Sequence, residues 1–369
     1  MRYILKTFSK IILIAIYHLR YMYFNSLLKN EYLENIKFKS KKKSLIAIID
    51  NASHTPTYIH IEFLLYLKSL NFNKNYILVL PFGKYSKTFY KKKENFVKNG
   101  EDLRLKTILD PSFDIIENFN KNVFYFSERF DSYKFIKNKK KDDLTIPKNA
   151  DILSLTKVNY KESFFKKYLS TYKKTKKRVF LKSPDVFIEL AKKYINFKPS
   201  QKIVTISLKD SKYSKVRNSK IFEWLKFASF IKKRGIRVIF ILDITSLEKK
   251  NHIRDKIKEY ENYDIFSFDL RARLAIYELS YLNFSVSSGT NVLLFNSRAN
   301  YLLFSPVNTE INSGTGSYDL WFKHTGVAIN QQLPFASSRQ KIVWTKNNEK
   351  FDIIVKEFLI FEKNKKKSK

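Results

Sequence analysis

Asp50 and His54 stand four residues apart in "DNASHTPTY", directly after the apolar run "SLIAII". An acid and an imidazole on a loop at a strand's carboxyl end can take the proton from an acceptor hydroxyl. The same residues also make an ordinary turn, with Asp50 and Asn51 capping the loop and His54 bonded locally. A second cluster, "LKDSKYSKVRNS", follows another apolar run and carries Lys209, Lys212, Lys215, Arg217 and Asn218. In a chain this rich in lysine, Lys212 and Lys215 read as solvated loop charges. Arg217 differs, because a guanidinium fork suits a pyrophosphate leaving group, although it equally clamps a carboxylate. Asp243 closes the next apolar run, where it either accepts from a ribose or sugar hydroxyl or caps the helix after it.

A third cluster is "SVSSGTNVLLF", in which Ser287, Ser288, Gly289, Thr290 and Asn291 separate a β-prone run from an apolar stretch of helical length. Such a turn either holds a phosphate or merely changes the chain's direction. Glu310 belongs to "NTEINSGTGSYDLWF", where Asn312, Ser313 and Gly314 allow close backbone approach to a ligand. "INSGTGSY" is no P-loop, since the lysine is absent and no strand leads directly into it. Neither G-x-S-x-G nor H-E-x-x-H occurs and the histidines are scattered, so hydrolase and zinc chemistry have no motif to rest on. The lack of a D-x-D motif argues against a required metal.

These residues need a sheet to hold them. "SLIAIID" reads as a buried strand, Ile59–Leu70 as a helix, "NYILVLPF" as a second strand and Val123–Phe126 as a third. Lys137–Asn149 is charged and poor in apolar residues, which predicts a surface loop. "PDVFIELAKKYI" reads as a helix near the domain junction. The second half gives five strands: Ile203–Leu208, "IRVIFILD", "YDIFSFD", Phe284–Val286 and Tyr301–Phe304. Four helices intervene, one being "SKIFEWLKFASFIKKRG" with Ser219 as N-cap and Gly235 past the C-terminus. The expected fold is α/β: two doubly wound Rossmann-like domains facing a cleft, because open parallel sheets bind ligands at their carboxyl edges. The expected boundaries are 1–43 for an N-terminal amphipathic helix and basic linker, 44–185 for the first Rossmann-like domain and 186–345 for the second. Residues 346–369 form a closing helix and basic tail.

A chain of 369 residues is comfortable for two domains, and at 44% hydrophobic and 16% aromatic it can bury a large core. With 71 Lys and Arg against 34 Asp and Glu, the formal net charge is +37. The excess is mostly lysine spread along the whole chain, beside many Asn, Ile, Phe and Tyr residues, as AT-rich codons produce in any protein. No arginine-rich arm or nucleic-acid motif occurs, so nucleic acid is not the expected partner. Phospholipid headgroups and nucleotide diphosphates also suit such a surface. The absence of cysteine removes disulfides and thiolate chemistry and fits a reducing compartment. Residues 1–24 hold an apolar run, Ile11–Tyr17, too short to span a bilayer. On a helix, Ile4, Leu5, Phe8, Ile11, Ile12, Ala15, Ile16, Leu19 and Met22 share one side. That face either lies in a membrane interface or packs on the domain.

The second half resembles the nucleotide-sugar-binding half of GT-B glycosyltransferases, in particular the heptosyltransferase family. That family places a basic residue shortly before a tryptophan that opens a helix; here Arg217 (or Lys220) and Trp224 take those places. Its later Asp-Thr-Gly, a histidine three residues on, and Phe-Gly-Pro correspond to Ser287-Ser288-Gly289, Val292 and Phe304-Ser305-Pro306. Asp50 and His54-Thr55 are similar in kind to its Gly-Asp and His-Thr turn, with the aspartate as general base. The resemblance implies transfer of a sugar from a nucleotide-diphosphate sugar to a glycan or lipid-linked acceptor in bacterial surface-polysaccharide assembly. It implies Asp50 and His54 as catalytic residues. The donor would be held by Lys209, Arg217, Asn218, Asp243, Ser287, Ser288, Gly289, Thr290, Asn291 and Glu310. No cofactor beyond the sugar nucleotide is expected, and the location would be cytoplasmic or peripheral on the inner membrane face. A sugar-nucleotide epimerase of the same fold and a non-catalytic glycan- or membrane-binding protein are the alternatives.

Overall fold

The computed structural model describes residues 44–50, 58–80, 105–119, 121–126, 132, 135–136, 143–146, 163–210, 218–243, 252–304, 318–344 and 349–367. The N-terminal helix and basic linker expected over 1–43 lie outside them. Two compact units divide the chain: 1–55, 71–101 and 120–161 form one, and 56–70, 102–119 and 162–369 the other. This division is interleaved, whereas the sequence suggests a single cut at 185/186.

The first unit holds β1 (Leu45–Asp50), β2 (Asn75–Leu80), β3 (Asn122–Tyr125) and β4 (Leu144–Ile146). All pair in parallel, in the order β3-β2-β1-β4. Residues 45–49 of β1 and all of β2 are buried, as parallel strands covered on both faces must be, and their unbroken apolar runs fit that burial. Tyr76, Phe124 and Phe135 pack their rings within about 6 Å of one another. The loop expected over Lys137–Asn149 is corrected here, since Leu144–Ile146 adds β4 to the open edge of β1. Three half-buried residues suffice for an edge strand, and the Asp143 carboxylate accepts the Ser44 N–H at 2.9 Å.

In the second unit, α1 (Ile59–Ser69) and a wide π-helical turn (Leu105–Leu109) running into α2 (Asp110–Asp114) precede α3 (Phe164–Thr175) and α4 (Asp185–Tyr194). There follow β5 (Ile203–Ser207), α5 (Ile221–Lys232), β6 (Arg237–Ile241), α6 (His252–Lys256), β7 (Glu261–Asn262), α7 (Ile265–Phe268) and α8 (Leu270–Leu279). The rest is β8 (Leu282–Val286), α9 (Asn291–Asn296), β9 (Tyr301–Phe304), α10 (Tyr318–Thr325), β10 (Gln340–Val343) and α11 (Phe351–Lys367). The sheet order is β10-β9-β8-β5-β6-β7, every pair parallel. Trp224 of α5 is fully buried among Phe227, Phe284 and Phe304, and Phe358 of α11 closes this core. Its indole N–H donates to Glu349 at 2.7 Å, which satisfies a polar group that burial would otherwise penalise.

Three further expectations change. "YDIFSFD" is not a strand: β7 ends at Asn262, and Asp264–Phe268 closes a helical turn through Ser267 N–H to Asp264 O at 2.8 Å. A sixth strand, β10, arises from "QKIV" beyond the five expected. Ser219 does not cap α5; Lys220 takes the cap position, with its N–H donating to Glu349 at 3.0 Å. Gly235 follows α5 at φ +75°, the left-handed geometry expected of it.

Candidate functional site

Strand β5 lies inside the six-stranded sheet. From it the chain first builds outward through β6 and β7, then returns to the other side of β5 and builds β8, β9 and β10. The direction of winding therefore reverses between β5 and β8. At such a switch point the loops leaving adjacent strands diverge, opening a crevice at the carboxyl edge. The loop after β5 carries Lys209, Asp210 and Asn218; the turn after β8 carries Ser287–Thr290. Sequence-expected donor residues thus flank the switch point from both sides.

The β5 loop is pinned at its base. Lys209 N–H donates to Ser219 Oγ at 2.8 Å, and Ser219 N–H donates back to the Lys209 carbonyl at 2.9 Å. This exchange is what Ser219 does instead of capping. Asn218 donates its side-chain amide to Asp210 Oδ1 at 3.2 Å. One strand further, Asp243 Oδ2 accepts the Asp210 N–H at 3.3 Å, joining the ends of β5 and β6. Burial raises the Asp243 carboxyl pKa, while Lys209, Arg273 and that N–H pull the other way. Arg273 is itself buried, donating to Leu242 O at 2.8 Å and Phe266 O at 2.7 Å. Its cation beneath the end of β6 gave no signal in sequence, because "RARLAIYELSYL" reads simply as an amphipathic helix.

The β8 turn is ordered from within. Asn291 is buried, and its amide donates to Val286 O at 2.9 Å while its Oδ1 accepts from Ser285 Oγ at 2.7 Å and Ser288 Oγ at 3.4 Å. That amide is spent on shaping the turn. Ser288 and Thr290 share a hydroxyl hydrogen bond of 2.8 Å; Ser287 and Thr290 are buried and Gly289 is exposed. Tyr58, just before α1, lies against Gly289 so closely that an added Cβ would come within 2.5 Å of its ring. Nothing in the sequence pointed to Tyr58, which is separated from Gly289 by more than half the chain.

The structure places Asp50 as the last residue of β1, without describing its side chain. His54, Arg217 and Glu310 lie outside the described residues. Among the described residues no group of His, Asp and Glu is arranged to hold a metal, and no helix is long and apolar enough to cross a membrane.

The scattered histidines yield one assembled site of a different kind. His324 of α10 bonds through Nε2 to Glu62 Oε1 of α1 at 2.9 Å. Ser163 Oγ donates to the His324 carbonyl, lies 3.3 Å from its Nδ1 and accepts the Lys166 N–H as the N-cap of α3. The serine hydroxyl is thus committed to capping and to a carbonyl, which makes the cluster a structural tie and not a nucleophile–base pair.

No protein-family model matches the sequence, and no curated protein does. Among solved structures, the chain is similar to the glycosyl transferase family 9 protein from Veillonella parvula DSM 2008, with a TM-score of 0.50 and 9% identity. That match covers 89% of this chain and 90% of the other. It is similar also to E. coli ADP-heptose lps heptosyltransferase II, with a TM-score of 0.53 at 8% identity, over 88% of this chain and 99% of that one. What these likenesses show is the fold: two parallel α/β units of the GT-B-like kind that the sequence implied.

Proposed function

We propose that the protein is a glycosyltransferase that moves a sugar from a nucleotide-diphosphate sugar to a glycan or lipid-linked acceptor in bacterial surface-polysaccharide assembly. The observation that carries this reading is the reversal of the six-stranded sheet between β5 and β8, flanked by Lys209 and the Ser287–Thr290 turn. Its support is the shared fold with two glycosyltransferases, one of which is described as acting with ADP-heptose. In the proposed reaction the nucleotide lies across the switch point. Lys209 neutralises part of the diphosphate charge, and the Ser288 and Thr290 hydroxyls offer hydrogen bonds to phosphate or sugar. Asp243 uses one carboxylate oxygen on the Asp210 N–H and offers the other to a ribose or sugar hydroxyl. Asp50, with His54, takes the proton from the acceptor hydroxyl as it displaces the diphosphate, and Arg217 stabilises that leaving group. No metal is assigned a role in this scheme. Glu310 and Asn218 complete the proposed donor contacts. Work on the inner face of the cytoplasmic membrane fits a lipid-linked acceptor.

Isothermal titration against a panel of nucleoside mono- and diphosphates and sugar nucleotides tests the reading. Binding to at least one diphosphate, weakened tenfold or more by Lys209→Met, is the expected result. Failure to bind any nucleotide or sugar nucleotide would sink it.

A further inference from the structure

Between Ser163 and Pro184 the sequence has eight Lys or Arg residues and no Asp or Glu. Helix α3 sorts them by face. Phe164, Phe165, Tyr168 and Leu169 are buried, while Lys166, Lys173, Lys174, Lys176 and Lys177 are exposed. The spacing of 166 and 173 sets them on one side of the helix, about 10 Å apart at 1.5 Å per residue, and 174, 176 and 177 cluster at its C-terminal end, where Lys176 turns left-handed. Among the described residues none of these five lysines is in an ion pair. Elsewhere on the same unit lysines are mixed: Lys182 meets Asp185, Lys192 meets Glu189, Lys226 meets Glu223 and Lys341 meets Glu357, while Lys193, Lys232 and Lys233 are exposed and in no ion pair among the described residues. What sets this stripe apart from the lysine bias of the whole chain is the run of 163–184 without a single acid, in a chain that elsewhere intersperses 34 Asp and Glu among its 71 Lys and Arg.

At the N-terminal end of the stripe stands Phe322 of α10. It is 50% exposed, and Lys166 Nζ lies 5.9 Å from its ring centroid. Lys323 beside it is exposed as well. The arginine of the stretch faces inward: Arg178 donates to Phe335 O at 2.9 Å, Phe295 O at 2.8 Å and Ser297 O at 3.1 Å. The outward charges are thus ammonium groups without forks, accompanied by a half-exposed aromatic ring.

We propose that this face of α3, with Phe322 at its end, docks the protein on an anionic lipid surface. Lysine ammoniums act as compact hydrated charges that follow a diffuse potential, and each contributes about fivefold to binding near an anionic leaflet. An exposed ring gains by entering the headgroup–acyl boundary. A nucleic-acid reader would instead present arginine forks to bases or phosphates, and here the fork is turned inward. The proposal uses none of residues 1–24 and does not rest on the proposed glycosyl transfer.

Full-length protein sedimented with phosphatidylcholine vesicles containing 30% phosphatidylglycerol, at ~0.1 M salt, gives the test. The variant K166Q/K173Q/K174Q/K177Q should bind at least 30-fold more weakly. A charge-matched variant on α4 and α5, K192Q/K193Q/K226Q/K232Q, should lose less than threefold, and F322S should lose about threefold. Equal losses in both quadruple variants, or no loss in either, overturns the proposal. So does failure of the wild type to bind these vesicles, whether or not it binds random duplex DNA through the same lysines. Should the α3 variant not fold, acetylation of the wild type decides: vesicles must protect Lys173, Lys174 and Lys177 more than Lys192 and Lys193.

Discussion

Gly289 is the point at which one atom decides how the β8 turn sits. Its φ is not in the left-handed region, so backbone strain does not require glycine there; what requires it is the Tyr58 ring. Gly289→Ala would place a methyl 2.5 Å from Tyr58 Cδ2, where no real contact exists. Either the ring or the turn must move, at a cost of about 1–3 kcal/mol typical of overpacking. In a Tyr58→Ala background the same substitution should cost less than ~0.5 kcal/mol, so a double-mutant cycle by chemical denaturation reads the coupling. An additive result would show that the ring is not the constraint. The example also marks what was legible in the site. The positions of Lys209, Asp243 and Ser287–Thr290 followed from where apolar runs end, since strand ends dictate loop positions. The partners that shape them did not: Tyr58, Arg273 and the Asp210–Asp243 link join residues brought together only by packing.

The same holds for the tie that joins α1, α3 and α10. His324 meets Glu62 through Nε2, faces Ser163 and stacks on Phe165 with ring centroids 6.0 Å apart. Burial lowers the His324 pKa, but the hydrogen bond and charge of Glu62 more than offset this and leave it raised. A histidine whose folded pKa lies above its unfolded value of about 6.5 contributes stability that is fully present below that pH. The contribution is lost as pH rises through the folded value. Thermal melts of the protein should therefore show a stabilising component at pH 6 that declines as the pH is raised above 6.5, and Glu62→Gln should abolish that component. The substitution should also cost on the order of 2–3 kcal/mol, less than the ~3–5 of a fully buried pair because His324 is partly exposed. An unchanged pH profile in Glu62→Gln would refute the tie. Among elements, long apolar runs were legible in sequence: β1, β2, β5, β6 and β9 appear where expected. Short or polar ones were not. β4 is three residues inside a charged stretch, and "IFSF" alternates like a strand but closes a helical turn from Asp264. Local periodicity over four residues cannot separate the two.

At the scale of the molecule the larger unit is assembled from separate stretches of the chain. Residues 56–70, 102–119 and 162–185 belong with 186–369. They bring the buried Phe63, Phe164, Phe165, Tyr168 and Leu169, and Phe165 stacks on Phe295 at 6.3 Å while Tyr168 reaches Phe335 at 6.0 Å. Arg178 adds its bonds to the carbonyls at the end of α9, and Arg271 of α8 pairs with Asp114 at 2.9 Å. At roughly 1.5–3 kcal/mol for each large apolar side chain, removing these segments takes away on the order of 10 kcal/mol. Whole domains are stable by only about 5–15 kcal/mol. A fragment 186–369, although it contains all six strands of the larger sheet, should therefore fail to fold cooperatively. Circular dichroism should show a broad, non-cooperative melt, and the fragment should bind a hydrophobic dye that the full chain does not. Co-expression with 1–185 should restore a cooperative transition, because the missing packing is supplied in trans. A sharp melt of the isolated fragment within ~5 °C of the full chain would mean that the six-stranded sheet and α11 carry their own core, and that α1 and α3 are accessories to it.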